Sequence, residues 1–254
     1  MSTVTDPSPS ATAHPLVKPP VFVLVHGAWH GGWCWQHVSA YLRAAGAIVY
    51  TPTLSGLGEH KGNLTAAIDL DTHIADIINL LHMEDLHDVV LVGHSYGGLV
   101  ITGVADRAPA RLRKLIFLDS LLAENNQSLI SIQPAAGQEA LRQMTVPSDG
   151  LLLPALPATY FGVTEPALNQ WVEERLTPQP YRSLTQPLVL KQPFGNHLPL
   201  VYIECDTPPL DAIQPFVART KASEAWQNYT LHEGHSVMLT APRQLADLLD
   251  SLSH

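Results

Sequence analysis

Three stretches, VFVLVHG (21–27), VVLVGHS (89–95) and KLIFLDS (114–120), are apolar at nearly every position and stop on glycine, serine or aspartate. A strand with one wet face alternates apolar and polar residues, so unbroken runs this short read as central strands buried on both faces. Between them the spacing changes. Val38, Tyr41, Leu42 and Ala45 share a helical face that stops at Gly46, and Leu70, Ile74, Ile77, Ile78 and Leu81 form another stripe. Asp69 or Asp71 can cap the second helix. Further strands are expected in AIVYTPTL (47–54), PLVYIEC (199–205) and NYTLHEGH (228–235), and further helices over 96–108, 212–223 and 241–253. This β-α-β-α order predicts an α/β protein with a mostly parallel, doubly wound sheet.

Parallel crossovers put the loops at the carboxyl ends of all strands on one edge of the sheet. His26, Ser95, Asp119, Cys205-Asp206 and His235 each fall at or just after such an end. Residues 121–198 break the rhythm with prolines and aromatics, and predict an inserted cap over that edge. The rest of 21–254 reads as one domain. Residues 1–20 (MSTVTDPSPSATAHPLVKPP) read as a mobile leader with no cationic start or apolar core of a secretory signal.

Composition excludes some functions. A formal charge of −9 with 14 scattered Lys and Arg argues against nucleic-acid binding. No apolar run approaches the roughly 18 residues of a membrane span. Cys34 and Cys205 are far apart in sequence and form no C-x-x-C pair, as buried thiols of a cytoplasmic protein would be. The oligomeric state cannot be read from the chain.

The chemistry centres on GHSYG (93–97). Chance supplies a G-x-S-x-G match in about one chain in twelve of this length, so context decides. Here a strand precedes and a helix follows, which is the setting of a nucleophile elbow with the Ser95 hydroxyl pushed out at the sheet edge. A serine needs a base, and His235, between the last strand and the last helix, is placed for that role. His232 is the rival but reads as lying within the strand. The acid that orients the base is Asp119, Asp206 or Asp211 by chain order; the position of Asp119 at the end of KLIFLD favours it, with Asp206 next. Backbone N–H groups of Ala28 and Tyr96 are the expected oxyanion donors. Trp29, Trp33, Tyr160, Phe161 and Trp171 are candidate walls of an apolar substrate pocket. Asp69, Asp71 and His73 are close in sequence but complete no metal motif, and the chemistry calls for no metal or cofactor.

FVLVHGAWHGGWCW, GHSYGG and EGHSVML together resemble the α/β-hydrolase superfamily, and within it the compact group of plant methyl-ester esterases, hydroxynitrile lyases and bacterial esterase relatives. The resemblance implies the α/β-hydrolase fold from 21 to 253, and maps the serine, histidine and oxyanion positions onto Ser95, His235, Ala28 and Tyr96. Lyases of this group carry a threonine after the first-strand histidine and a lysine after the catalytic histidine. Gly27 and Ser236 stand there, which favours the hydrolase branch. The family's usual acid lies in a C-x-x-D arrangement that would fall on Pro208, whereas dehalogenase-like members take it from the strand end held here by Asp119. The expectation is a cofactor-free serine hydrolase acting on small to medium apolar carboxylic esters through an acyl-enzyme. Amide or carbamate cleavage by the same residues is the close variant, and a hydroxynitrile lyase the remoter one.

Overall fold

The computed structural model describes residues 18–253. Most of the leader expected over 1–20 lies outside the described residues. From Val21 the chain alternates strand and helix: β1 (Val21–Val25), α1 (Gln36–Ala44), β2 (Ile48–Tyr50), α2 (Leu70–Met83), β3 (Val89–His94), α3 (Gly97–Arg107) and β4 (Leu112–Leu118). A long excursion follows, with α4 (Ala135–Met144), β5 (Leu152–Leu153), α5 (Pro166–Glu173), β6 (Gln179–Pro180) and α6 (Tyr181–Thr185). The sheet resumes with β7 (Leu200–Cys205), α7 (Gln214–Lys221) and β8 (Trp226–Leu231), and the chain ends with α8 (Val237–Thr240) and α9 (Pro242–Ser251).

Six strands form one parallel sheet in the order β2-β1-β3-β4-β7-β8. Successive strand residues feed opposite cores, as the two-residue period of a strand requires. Val23, Val25, Leu91, Leu115 and Phe117 pack with the stripe of α2 and with α3. Phe22, Leu24, Val90, Val92, Ile116 and Leu118 pack with Val38 and Leu42 of α1 and Leu245 and Leu249 of α9. Both faces of the sheet are therefore covered, which is why its strands read as unbroken apolar runs.

Some boundaries differ from the sequence expectation for local reasons. The strand expected over 47–54 ends at Tyr50, two residues before Pro52, which has no N–H for the ladder. The expected helix from 33 begins with a 3-10 turn (Gly32–Trp35) before α1. Asp69, not Asp71, caps α2, accepting from the Thr72 N–H while the Thr72 hydroxyl accepts from the Asp69 N–H.

Strand order places the site. The chain leaves β1 toward β2 on one side and later returns to β3 on the other, so loops after β1 and β3 diverge around a crevice at the carboxyl edge. Ser95 follows β3 and the Gly27–Gly32 loop follows β1.

Candidate active site

Ser95 sits on the turn between β3 and α3 with φ +53°. An L-residue is strained in this left-handed region, and the turn holds it there. The Ser95 N–H donates to Leu118 O at 3.2 Å, and its carbonyl accepts from the Gly98 N–H at 3.1 Å and the Ser120 hydroxyl at 2.7 Å. The glycines on either side are dictated by contact. A Cβ on Gly93 would stand 2.7 Å from Gly97 O, and one on Gly97 would stand 2.9 Å from the carbonyls of Val25 and His26. Backbone cannot yield as a flexible side chain can, so this close approach of β1, β3 and α3 needs glycine at both places.

His235 lies in the loop between β8 and α8, with 3% of its surface exposed. Its Nδ1–H donates to Asp119 Oδ2 at 2.6 Å. Asp119 is fully buried just past β4, and its other carboxylate oxygen accepts from the Cys205 N–H at 3.0 Å. Asp206, the alternative acid, points elsewhere: it pairs with His232 at 3.0 Å and accepts from the Thr207 hydroxyl at 2.8 Å. These two partners hold its carboxyl below the usual range, Thr207 most strongly. His232 lies one residue beyond β8, not within it as its sequence position suggested, and faces solvent. Asp211 is exposed in the turn before α7.

The Ala28 and Tyr96 N–H groups have no acceptor among the described residues, and Ala28 lines the same cavity as Ser95 and His235. That cavity has a volume of about 110 Å³. Leu121, Leu153, Leu184, Leu210 and Ile213 make much of its wall, Gln133 adds an amide, and among the described residues no Asp, Glu, Lys or Arg lines it. Trp29, Tyr160 and Phe161 also face it. Trp33 and Trp171 do not, contrary to the sequence expectation. They meet edge to face at 5.4 Å, and the Arg175 guanidinium lies 4.1 Å from the Trp171 ring. Both pack against the core on the α1–α9 side of the sheet, so these aromatics are used to seat α5 on the domain.

Neutral histidines surround the serine turn. Burial pushes His26 down to about 3 and His30 to about 4, and lowers His73 and His94. His73 is held between the Tyr96 hydroxyl (2.8 Å) and Ser55 O (2.9 Å). With Asp69 capping α2 and Asp71 paired with Arg107, the three residues close in sequence are dispersed. Among the described residues no three His, Cys, Asp or Glu side chains could hold a metal ion. No described helix is long and apolar enough to cross a membrane.

Two contacts had no sequence signal of their own. His94, inside the GHSYG box, donates from Nε2 to His235 O at 2.9 Å. Gln179 reaches the loop after β1 across 150 residues of chain.

Comparison with known proteins agrees with this architecture. The model of the alpha/beta hydrolase family matches residues 22–248. A carbendazim hydrolyzing esterase of Nocardioides sp. (strain SG-4G) is 37% identical over 240 residues, covering 91% of this chain and 98% of its own. An alpha-hydroxynitrile lyase of Arabidopsis thaliana is 35% identical, over 41% of this chain and 40% of its own. An extracellular alpha/beta-hydrolase from a Paenibacillus species superposes with a TM-score of 0.81 at 24% identity, covering 92% of this chain and 98% of that one. The chain belongs to the alpha/beta hydrolase family.

Proposed function

We propose that this hydrolase is a serine esterase that cleaves small to medium, uncharged apolar carboxylic esters. The observation that carries the reading is the 2.6 Å bond from His235 Nδ1 to buried Asp119, with His235 and Ser95 opening on one apolar cavity. With Nδ1–H committed to the carboxylate, Nε2 is the nitrogen left to accept a proton. Ser95 Oγ adds to the ester carbonyl carbon while its proton passes to His235 Nε2. The carbonyl oxygen takes the negative charge and is met by the Ala28 and Tyr96 N–H groups. Collapse breaks the C–O bond, and the imidazolium returns its proton to the departing alkoxide. Water, deprotonated by the same nitrogen, then adds to the acyl-enzyme carbonyl; collapse breaks the bond to Ser95 Oγ, which takes the proton back from His235, and the acid is released. Asp119 stabilises the imidazolium in both halves and takes no proton itself.

The walls support the substrate class. A cavity of leucines, isoleucine and aromatics favours apolar acyl and alcohol groups, and among the described residues it offers no Asp, Glu, Lys or Arg to pair with a substrate carboxylate or ammonium. A carbamate reading is favoured by the relative named for carbendazim hydrolysis. An ester-type carbamate offers the same carbonyl and the same alcohol leaving group. Two free, buried thiols, Cys34 and Cys205, suit a reducing, cytoplasmic setting.

The test is hydrolysis of 4-nitrophenyl esters alongside neutral aryl carbamates and amides, comparing kcat/KM for the native chain and Ser95→Ala. Ser95→Ala should lose activity by on the order of 10⁴-fold or more with its fold intact. Undiminished turnover, or no labelling of Ser95 by a fluorophosphonate, would sink the reading. Cyanide release from mandelonitrile above background would move it to the lyase.

A further inference from the structure

We infer that Gln179 is a positioning residue for the oxyanion loop, acting through the backbone of Trp29; the inference rests on the esterase reading above. Trp29 has φ +65°, an unusual conformation for a bulky L-residue, which persists only where neighbours enforce it. Four bonds do so, all from the segment between β4 and β7, the longest from the Thr177 hydroxyl to the Trp29 carbonyl at 3.4 Å. The Trp29 N–H donates to Gln179 Oε1 at 2.9 Å. Its carbonyl accepts from the Thr177 N–H at 3.0 Å, and its indole Nε1–H donates to Leu153 O at 3.2 Å. Leu153 and Gln179 are themselves paired across the small β5–β6 sheet. This small two-stranded sheet, with Thr177 just before β6, therefore grips the residue next to the expected oxyanion donor.

The grip has a defined polarity. Gln179 is fully buried, and its Nε2 donates to Ser183 Oγ at 2.7 Å. The Ser183 hydroxyl in turn donates to Pro180 O at 2.6 Å, so its oxygen is left to accept. Flipping the Gln179 amide would set its NH₂ against the Trp29 N–H, donor against donor. The side chain is thus fixed with its oxygen toward Trp29.

Two further carbonyls of the loop are also committed. His26 Nδ1–H donates to Gly27 O and His30 Nδ1–H donates to Ala28 O, each at 2.8 Å. With the Trp29 N–H and carbonyl taken by Gln179 and Thr177, the Ala28 N–H one peptide earlier has no acceptor among the described residues. Of the loop's residues Ala28 and Trp29 line the cavity, and with the Trp29 N–H taken it is the Ala28 N–H that is presented there, as an oxyanion site requires. Gln179 touches no reacting atom; it holds the peptide next to one that does.

The experiment measures kcat and KM separately on a 4-nitrophenyl ester, together with the affinity of a boronic acid that forms a tetrahedral adduct on serine. Gln179→Leu, which keeps bulk but removes the acceptor, should lower kcat about 10- to 100-fold with KM within about three-fold. It should weaken the boronic acid by a factor similar to its loss in kcat. Gln179→Glu keeps an oxygen facing the Trp29 N–H and should hold kcat within about five-fold of the native chain. A kcat for Gln179→Leu within about two-fold of native, a loss confined to KM, or equal losses in both variants would overturn the assignment. Should Gln179→Leu fail to fold, Gln179→Met, which keeps the unbranched shape and removes the amide acceptor, must still lower kcat by about three-fold or more; no change overturns the proposal. A native chain whose ester turnover does not depend on Ser95 would instead overturn the esterase reading, so the two failures are distinguishable.

Discussion

His94 and His235 are tied together independently of any contact with Asp119: the Nε2–H of His94 donates to the backbone carbonyl of His235 at 2.9 Å, and their rings lie 4.5 Å apart. His94 immediately precedes Ser95, so the turn carrying the serine and the loop carrying the histidine are joined by one bond. Burial and neighbouring histidines keep the His94 imidazole neutral, with its pKa well below 6.5. The second residue of the GHSYG box thus fixes the distance between two elements that lie far apart in sequence.

His94→Phe separates this tie from simple packing. It retains a ring and removes a buried Nδ1 that has no partner among the described residues. Losing that orphan offsets part of the cost of leaving His235 O unpaired, so stability should change by no more than about 1 kcal/mol. Without the tie His235 is less well placed, and kcat should fall about ten-fold with little change in KM. Urea unfolding and ester kinetics on one preparation check both, and an unchanged kcat would remove His94 from the positioning of the base.

The acid assignment can be read by parallel substitution. Asp119→Asn leaves an amide against His235 Nδ1 and should lower kcat by on the order of 10⁴. Asp206→Asn, on the exposed pair with His232, should leave kcat within about two-fold. The reverse ranking would give the role to Asp206.

How much of this was legible in the sequence depended on whether the signal was local. The strands announced themselves because burial on both faces leaves no polar position, and GHSYG stood out because a run like VVLV led into it. The acid was ambiguous because chain order cannot say which strand end faces His235. The fold turns Asp206 to His232 and brings Asp119 against His235, with its other oxygen taking the Cys205 N–H. Trp33 and Trp171 were misplaced for a related reason. Aromatic content marks a segment as apolar but does not say toward which side of the segment a ring turns. Gln179 carried no signal at all, since a lone glutamine acquires its partner only when the chain folds across 150 residues.

Gly27 gives a structural reason for staying on the hydrolase side of the group. A Cβ there would lie 2.9 Å from His94 Nδ1 and 3.0 Å from Ser95 Cβ. Gly27→Thr, which installs the residue found in the lyases of the resemblance, should press on the serine itself. Ester kcat/KM should fall by on the order of 10², with no cyanide release from mandelonitrile gained. Kinetics on both substrates check this, and a variant that keeps ester turnover would show that the turn can yield.

Buried neutral histidines should also set the acid limit of the fold. Leu54 N–H donates to His26 Nε2 at 3.0 Å, so protonating that nitrogen would put donor against donor as well as bury a charge. Its pKa is pushed down to about 3 and that of His30 to about 4, from 6.5. Because the folded values are depressed, the full contribution to stability is present above pH 6.5. As pH falls below that, the unfolded chain binds protons that the fold refuses, and stability drops until about pH 4 for His30 and about pH 3 for His26. Each such group adds up to about 1.4 kcal/mol per pH unit to the decline. His26→Gln keeps an amide able to accept from Leu54 and does not titrate, so the fall in unfolding free energy below pH 6 should be shallower by about that amount. Urea midpoints for the native chain and the variant from neutral pH downward test this; parallel declines would mean that folded His26 already takes up its proton near its ordinary pKa.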